Sequence, residues 1–154
     1  MAESFVIKGG EQKQAKRYSA WLAFSLCGIV ALHYVLFFTR LYWEYRWLDI
    51  PMHFMCGAWM AALGVYVFFV RGPVRPNGAF YEALIVLGFA ALAGVAWEFH
   101  EFIFDTFITD RRLIMQEGVA ETMGDLFFDM LGATMTVILR YAHFLWKNQE
   151  NHSS

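Results

Sequence analysis

Four apolar runs set the rhythm of the chain, at 21–38, 50–70, 80–104 and 122–141. Each is about twenty residues long. A helix rises about 1.5 Å per residue, so that length crosses the ~30 Å hydrocarbon core of a bilayer. The pattern predicts an all-α integral membrane bundle of four transmembrane helices. Residues 1–19 read as a polar N-terminal arm, 20–146 as the four-helix transmembrane domain and 147–154 as a flexible C-terminal tail. The arm shows no small-x-small cleavage signal, so the first run reads as a retained span. The stretch 71–78 holds two prolines, two glycines and two arginines and reads as a tight turn. The connector 105–121 is too polar to span and reads as a loop or a short interfacial helix.

Polar positions enter these runs on fixed faces. Glu98, Glu101 and Asp105 step by three and four, so they share one helical face, which continues back through Gly94 and Ala90. Asp49 and His53 share a stripe with Gly57, Ala61 and Gly64. Glu121, Asp125 and Asp129 share one with Gly132 and Thr136. Small residues on a membrane helix mark the side that packs on other helices. The acids therefore point into protein. Asp49 is the expected N-cap of the second span, with Pro51 in its first turn. His33 in the first run is expected to be neutral and hydrogen-bonded to a neighbouring helix. It lies seven residues before Arg40, on the same face.

Because the spans alternate in direction, the polar groups converge. Asp49 and His53 begin the second span, Glu98 and Glu101 end the third, and Asp125 and Asp129 begin the fourth. Arg40 ends the first. All lie at one side of the membrane, and the other ends carry no comparable cluster. Eight Lys and Arg fall in the arm, the 71–75 turn and the tail, against four (Arg40, Arg46, Arg111, Arg112) on the other side. The positive-inside rule then puts both termini in the cytoplasm and the cluster on the outer side.

Composition adds little that the pattern lacks. The chain is 58% hydrophobic and 19% aromatic, beyond the usage of soluble domains. A net charge of -2 gives no field for nucleic acid, so the expected partners are membrane lipids and further copies of the chain. Cys27 and Cys56 sit in apolar runs, make no disulfide framework and match no zinc spacing.

Three readings of the cluster compete. One His nitrogen with several carboxylate oxygens suits a divalent metal such as Zn²⁺, Mn²⁺, Fe²⁺ or Mg²⁺, with His53, Glu98, Asp125, Glu101 and Asp129 as candidate ligands. Bound water would then give hydrolytic or transfer chemistry on a lipid or lipid-linked headgroup. In that reading His53, Glu98 and Asp125 carry catalysis, Asp49 holds the His53 ring, and Arg40 binds the headgroup. His100, two residues past Glu98, points elsewhere, toward headgroups. The second reading is a proton- or ion-coupled carrier, which four unbroken spans could form only as an oligomer. The third is a structural or partner-binding scaffold, in which caps and Arg40 satisfy the acids.

The blocks Asp49-Ile50-Pro51-Met52-His53-Phe54-Met55-Cys56-Gly57, Trp97-Glu98-Phe99-His100-Glu101 and Thr122-Met123-Gly124-Asp125-Leu126-Phe127-Phe128-Asp129-Met130-Leu131-Gly132-Ala133 resemble those of the YjdF-like family of small bacterial inner-membrane proteins. More distantly they resemble VanZ-like membrane proteins. The resemblance implies a bacterial helical membrane protein and supplies no reaction.

Overall fold

The computed structural model describes residues 2–72, 74, 78–108 and 118–153, with side chains over 12–150 of these. Its long helices are α1 (Ala2–Phe38), α3 (Asp49–Val65), α4 (Ala79–Phe107) and α5 (Val119–Ser153). A short helix α2 (Leu41–Glu44) and a 3₁₀ turn (Arg46–Leu48) join α1 to α3, and α3 runs on as a π-helical segment to Arg71. No strand occurs among the described residues. Among the described residues, four helical stretches are long and apolar enough to cross a membrane: Gln12–Phe38, Arg46–Arg71, Ala79–Phe107 and Val119–Glu150. The expected four-span bundle is present.

Its helices overrun the apolar runs. The arm is helical from Ala2 and continuous with the first span, and the tail, expected to be flexible, continues α5 to Ser153. No proline interrupts either extension, and the polar residues after Trp146 tolerate a helix. The middle of the long connector, 109–117, lies outside the described residues, as do Arg75, Arg111 and Arg112 of the charge count.

The seam between α3 and α5 organises the bundle. A Cβ at Gly57 would collide with the backbone carbonyl of Asp129, and one at Gly132 with the carbonyl of Phe54. The two glycines thus let the backbones touch, which is how small residues drive helix association where lipid removes the hydrophobic contrast. Thr136 Oγ1 donates to the Ala58 carbonyl at 3.2 Å along the same seam. Helix α4 closes the third side, where Ala61, Val65, Val86, Ala90 and Ala133 form the fully buried centre.

Helix α1 is held differently. Trp59 Nε1 donates to the Leu22 carbonyl at 3.1 Å, and Tyr18 OH donates to the Ala62 carbonyl at 3.1 Å. Both ties run to α3. Against α4 the approach is a ring contact, His33 on Trp97 at 5.9 Å. At its end the chain turns sharply through Arg40, whose φ of 62° is left-handed.

Candidate functional site

Close approach of α3 to α5 sets His53 among acids. Asp129 sits opposite Gly57, one turn below His53. Its carboxylate has room because Gly94 of α4 carries no Cβ, which would stand 2.7 Å from Asp129 Oδ2. His53 is buried, and its two ring nitrogens have different surroundings. Nδ1 lies 3.4 Å from Asp129 Oδ2. Nε2 lies 3.7 Å from Asp49 Oδ1 and 3.9 Å from Asp125 Oδ1. Donor atoms of Asp49, His53 and Asp125 fall within 4.8 Å of one another.

Asp49 stands beside the His53 ring and does not cap α3. The 3₁₀ turn delivers the chain into α3 already in helical conformation, with Leu48 at φ -67°, ψ -18° and Asp49 at φ -69°, ψ -39°. The helix therefore has no extended N-cap, and no side chain caps it. The Asp49 carboxylate, one turn from His53, is turned to Nε2 instead.

The remaining expected residues divide. Glu101 is buried and accepts a hydrogen bond from Trp97 Nε1 at 2.9 Å. It lines a cavity of about 540 Å³ with Asp49, His53 and Asp129. Glu98 is buried too, but it does not line this cavity. It lies within electrostatic range of Asp125 and Glu121 on α5 and of Glu101 on its own helix. Arg40 is exposed on its turn and also lies off the cavity. The arginine at the cavity is Arg46, 3.8 Å from Glu121.

Several residues at the cavity escape a reading of stripes alone. His100 faces it, against Trp97 at 5.1 Å between ring centres, and does not turn away as expected. The three-residue step from Trp97 to His100 was the available signal. His33 Nδ1 and Tyr42 OH share a hydrogen bond at 3.1 Å on the α1 side. Burial, with the charges of Asp49, Cys56 and Glu101, pushes the Tyr42 phenol far up, so it stays neutral. The short helix α2 that delivers Tyr42 has no periodicity long enough to place it.

Asp49, His53 and Asp125 are residues of the kind that could hold a divalent cation, with one donor atom of each within 4.8 Å of the others. Ligand oxygens and nitrogens about 2.0–2.2 Å from a metal stand roughly 3–3.6 Å from each other, within a few tenths of the spacings at Nε2. A metal-bound imidazole commonly has its other nitrogen on a carboxylate that fixes its tautomer, and Asp129 occupies that position. No curated protein and no solved structure matches the chain. One family model does, across residues 12–145, and the chain belongs to that family, the predicted membrane proteins DUF2238.

Proposed function

We propose that this is a multi-pass enzyme of the bacterial inner membrane. It uses a divalent metal held by Asp49, His53 and Asp125 to hydrolyse or transfer a lipid or lipid-linked headgroup. The observation that carries the reading is the His53 ring. Its Nδ1 faces Asp129, and its Nε2 faces two further carboxylates. A neutral imidazole donates one hydrogen bond, and here carboxylates stand within 3.9 Å of both ring nitrogens.

Three protein donors leave coordination positions for water and substrate. When bound, the metal supplies Lewis acidity and a water acidic enough to ionise near neutral pH. Asp129 orients the His53 ring. Glu101, at the cavity wall and steadied by Trp97, is the group that passes protons to or from the reacting headgroup. Glu98 sits behind it and, through its charge, favours a cation at the cluster. Arg46 and Tyr42 stand across the mouth as donors to an anionic headgroup. The Lys and Arg count supports cytoplasmic termini and a site on the outer face. The resemblance of the three sequence blocks to those of YjdF-like proteins is what suggests the inner membrane.

Elemental analysis of detergent-purified protein tests the reading, with wild type beside His53→Ala and Asp125→Asn. Near-stoichiometric metal in the wild type, lost in both folded variants, is the expected result. Wild-type protein that stays metal-free after incubation with Zn²⁺, Mn²⁺, Fe²⁺ and Mg²⁺ would overturn it.

A further inference from the structure

The cavity does not end at the polar cluster. On α1 it is lined from Phe37 down to Leu26, on α3 from Asp49 to Met60, and on α4 from Glu101 to Ala90. Each wall is twelve residues long, or about 16 Å from end to end at about 1.5 Å per step. One leaflet of a hydrocarbon core ~30 Å thick is about 15 Å deep. Set against the candidate spans Gln12–Phe38, Arg46–Arg71 and Ala79–Phe107, the lining covers somewhat under half of each, a length that matches one leaflet.

Its walls change character over that depth. Asp49, His53 and Glu101 stand toward one end, Asp129 about a turn deeper beside Gly57 and Gly94, and Leu26, Ile29, Met60 and Ala90 at the other end. A polar headgroup and an apolar tail require that same order. Beyond the His33–Trp97 ring contact, the α1–α4 side is loosely packed. Helix α1 packs on α3 and the connector, and no extended seam joins it to α4 among the described residues. Lining residues at the α1–α4 gap remain accessible, Leu26 to 38% and Trp97 to 39%. At this gap α4 presents Ala93 and Ala96, whose side chains leave the width of the cavity clear.

Resting on the metal reading above, we infer that the cavity is a slot for one hydrocarbon chain of a lipid from the same leaflet. The lipid enters sideways between α1 and α4, and its headgroup comes to rest at the His53 end. The substrate class is thus a membrane lipid that inserts a chain. A soluble headgroup donor would need no apolar shaft of leaflet depth.

Photolabelling of the full chain in phosphatidylcholine vesicles tests this. The probe is a phosphatidylcholine carrying a diazirine near the end of one acyl chain, and labelled residues are mapped by mass spectrometry. Wild-type protein should be labelled at Leu26, Ile29 and Met60. Ala93→Phe, which fills the slot, should lower that labelling about tenfold, equivalent to about 1.4 kcal/mol. Leu92→Phe, on the outer face at 69% exposure, should leave it unchanged. If Ala93→Phe fails to fold, Ile29→Trp narrows the slot from the opposite wall. Wild-type labelling confined to outward residues such as Leu92 and Phe99 would overturn the slot, as would slot labelling indifferent to both filling variants. Metal content measured on the same samples separates the two readings. Metal retained without slot labelling sinks the slot alone, and slot labelling without metal sinks the metal site alone.

Discussion

The two ends of this bundle handle buried charge in opposite ways. At the end formed by the starts of α1 and α4 and the finish of α5, Arg140 Nε donates to Glu82 Oε1. Nearby, Arg71 Nε donates to Tyr66 OH at 3.1 Å. Arg140 and Glu82 are both partly exposed, and the acid is matched by a base. At the other end Asp49, His53, Glu98, Glu101, Asp125 and Asp129 gather with one imidazole among five carboxylates. A helix bundle that needed only stability could have used the first solution twice. Carboxylates withdrawn from water raise each other's free energy unless a cation or protons are shared among them. An excess of acid at one end suits a bound cation or shared protons, and a single matched pair needs neither.

The comparison breaks most completely if the α3–α5 seam is forced open. Gly57→Val or Gly132→Val places side-chain atoms against carbonyls that belong to backbone and cannot rotate away. Overpacking of this kind costs about 1–3 kcal/mol and occasionally more. We expect the upper end of that range or loss of folded protein, read as a fall in thermal midpoint in detergent. Metal should be lost with it, because the seam sets His53 against Asp125 and Asp129. Gly28→Ala is the contrast. Nothing lies within 4 Å of that position, and the midpoint should hold.

A sharper cut touches the site and spares the fold. Asp129→Asn keeps the shape of the side chain that holds His53 Nδ1 and removes its charge. Replacing such a partner typically weakens metal binding about 10–100-fold. The dissociation constant, measured by competition with a chelator, should rise by that factor while the thermal midpoint of the metal-free protein stays within a few degrees. A large fall in the metal-free midpoint with unchanged metal affinity would instead make Asp129 a structural residue.

How much of this could be read beforehand follows from range. Spans and acid stripes are local properties of a helix, and period 3.6 carries them without a partner. Gly57, Ala61, Gly94 and Gly132 marked the packing faces for the same reason. The convergence of His53 with the α5 acids needed only alternation of the spans. What stayed hidden depends on how irregular pieces end. That Asp49 faces His53 and caps nothing turned on a 3₁₀ turn that feeds α3 already helical. Arg46, and not Arg40, reaches the cavity because the left-handed turn at Arg40 and helix α2 intervene. Nor does any stripe reveal that α1 stands off from α4, since a gap is a property of two surfaces and not of one.

The gentlest test returns to the opposite end. Glu82→Gln removes the charge from a pair whose arginine side chain is 43% exposed. Exposed pairs are screened and contribute about 0–1 kcal/mol, so the thermal midpoint should move by no more than a few degrees. Metal content and chain labelling should not move at all, because Glu82 and Arg140 lie beyond the apolar end of the cavity. Glu98→Gln is the matched change at the other end, one carboxylate made neutral among several. There stability of the metal-free protein should hold or rise, since one source of repulsion is gone, while metal affinity falls. Opposite responses to the same chemical change would separate an acid placed for a cation from an acid placed for its own partner. A fall in stability at both ends would mean that both acids serve the fold.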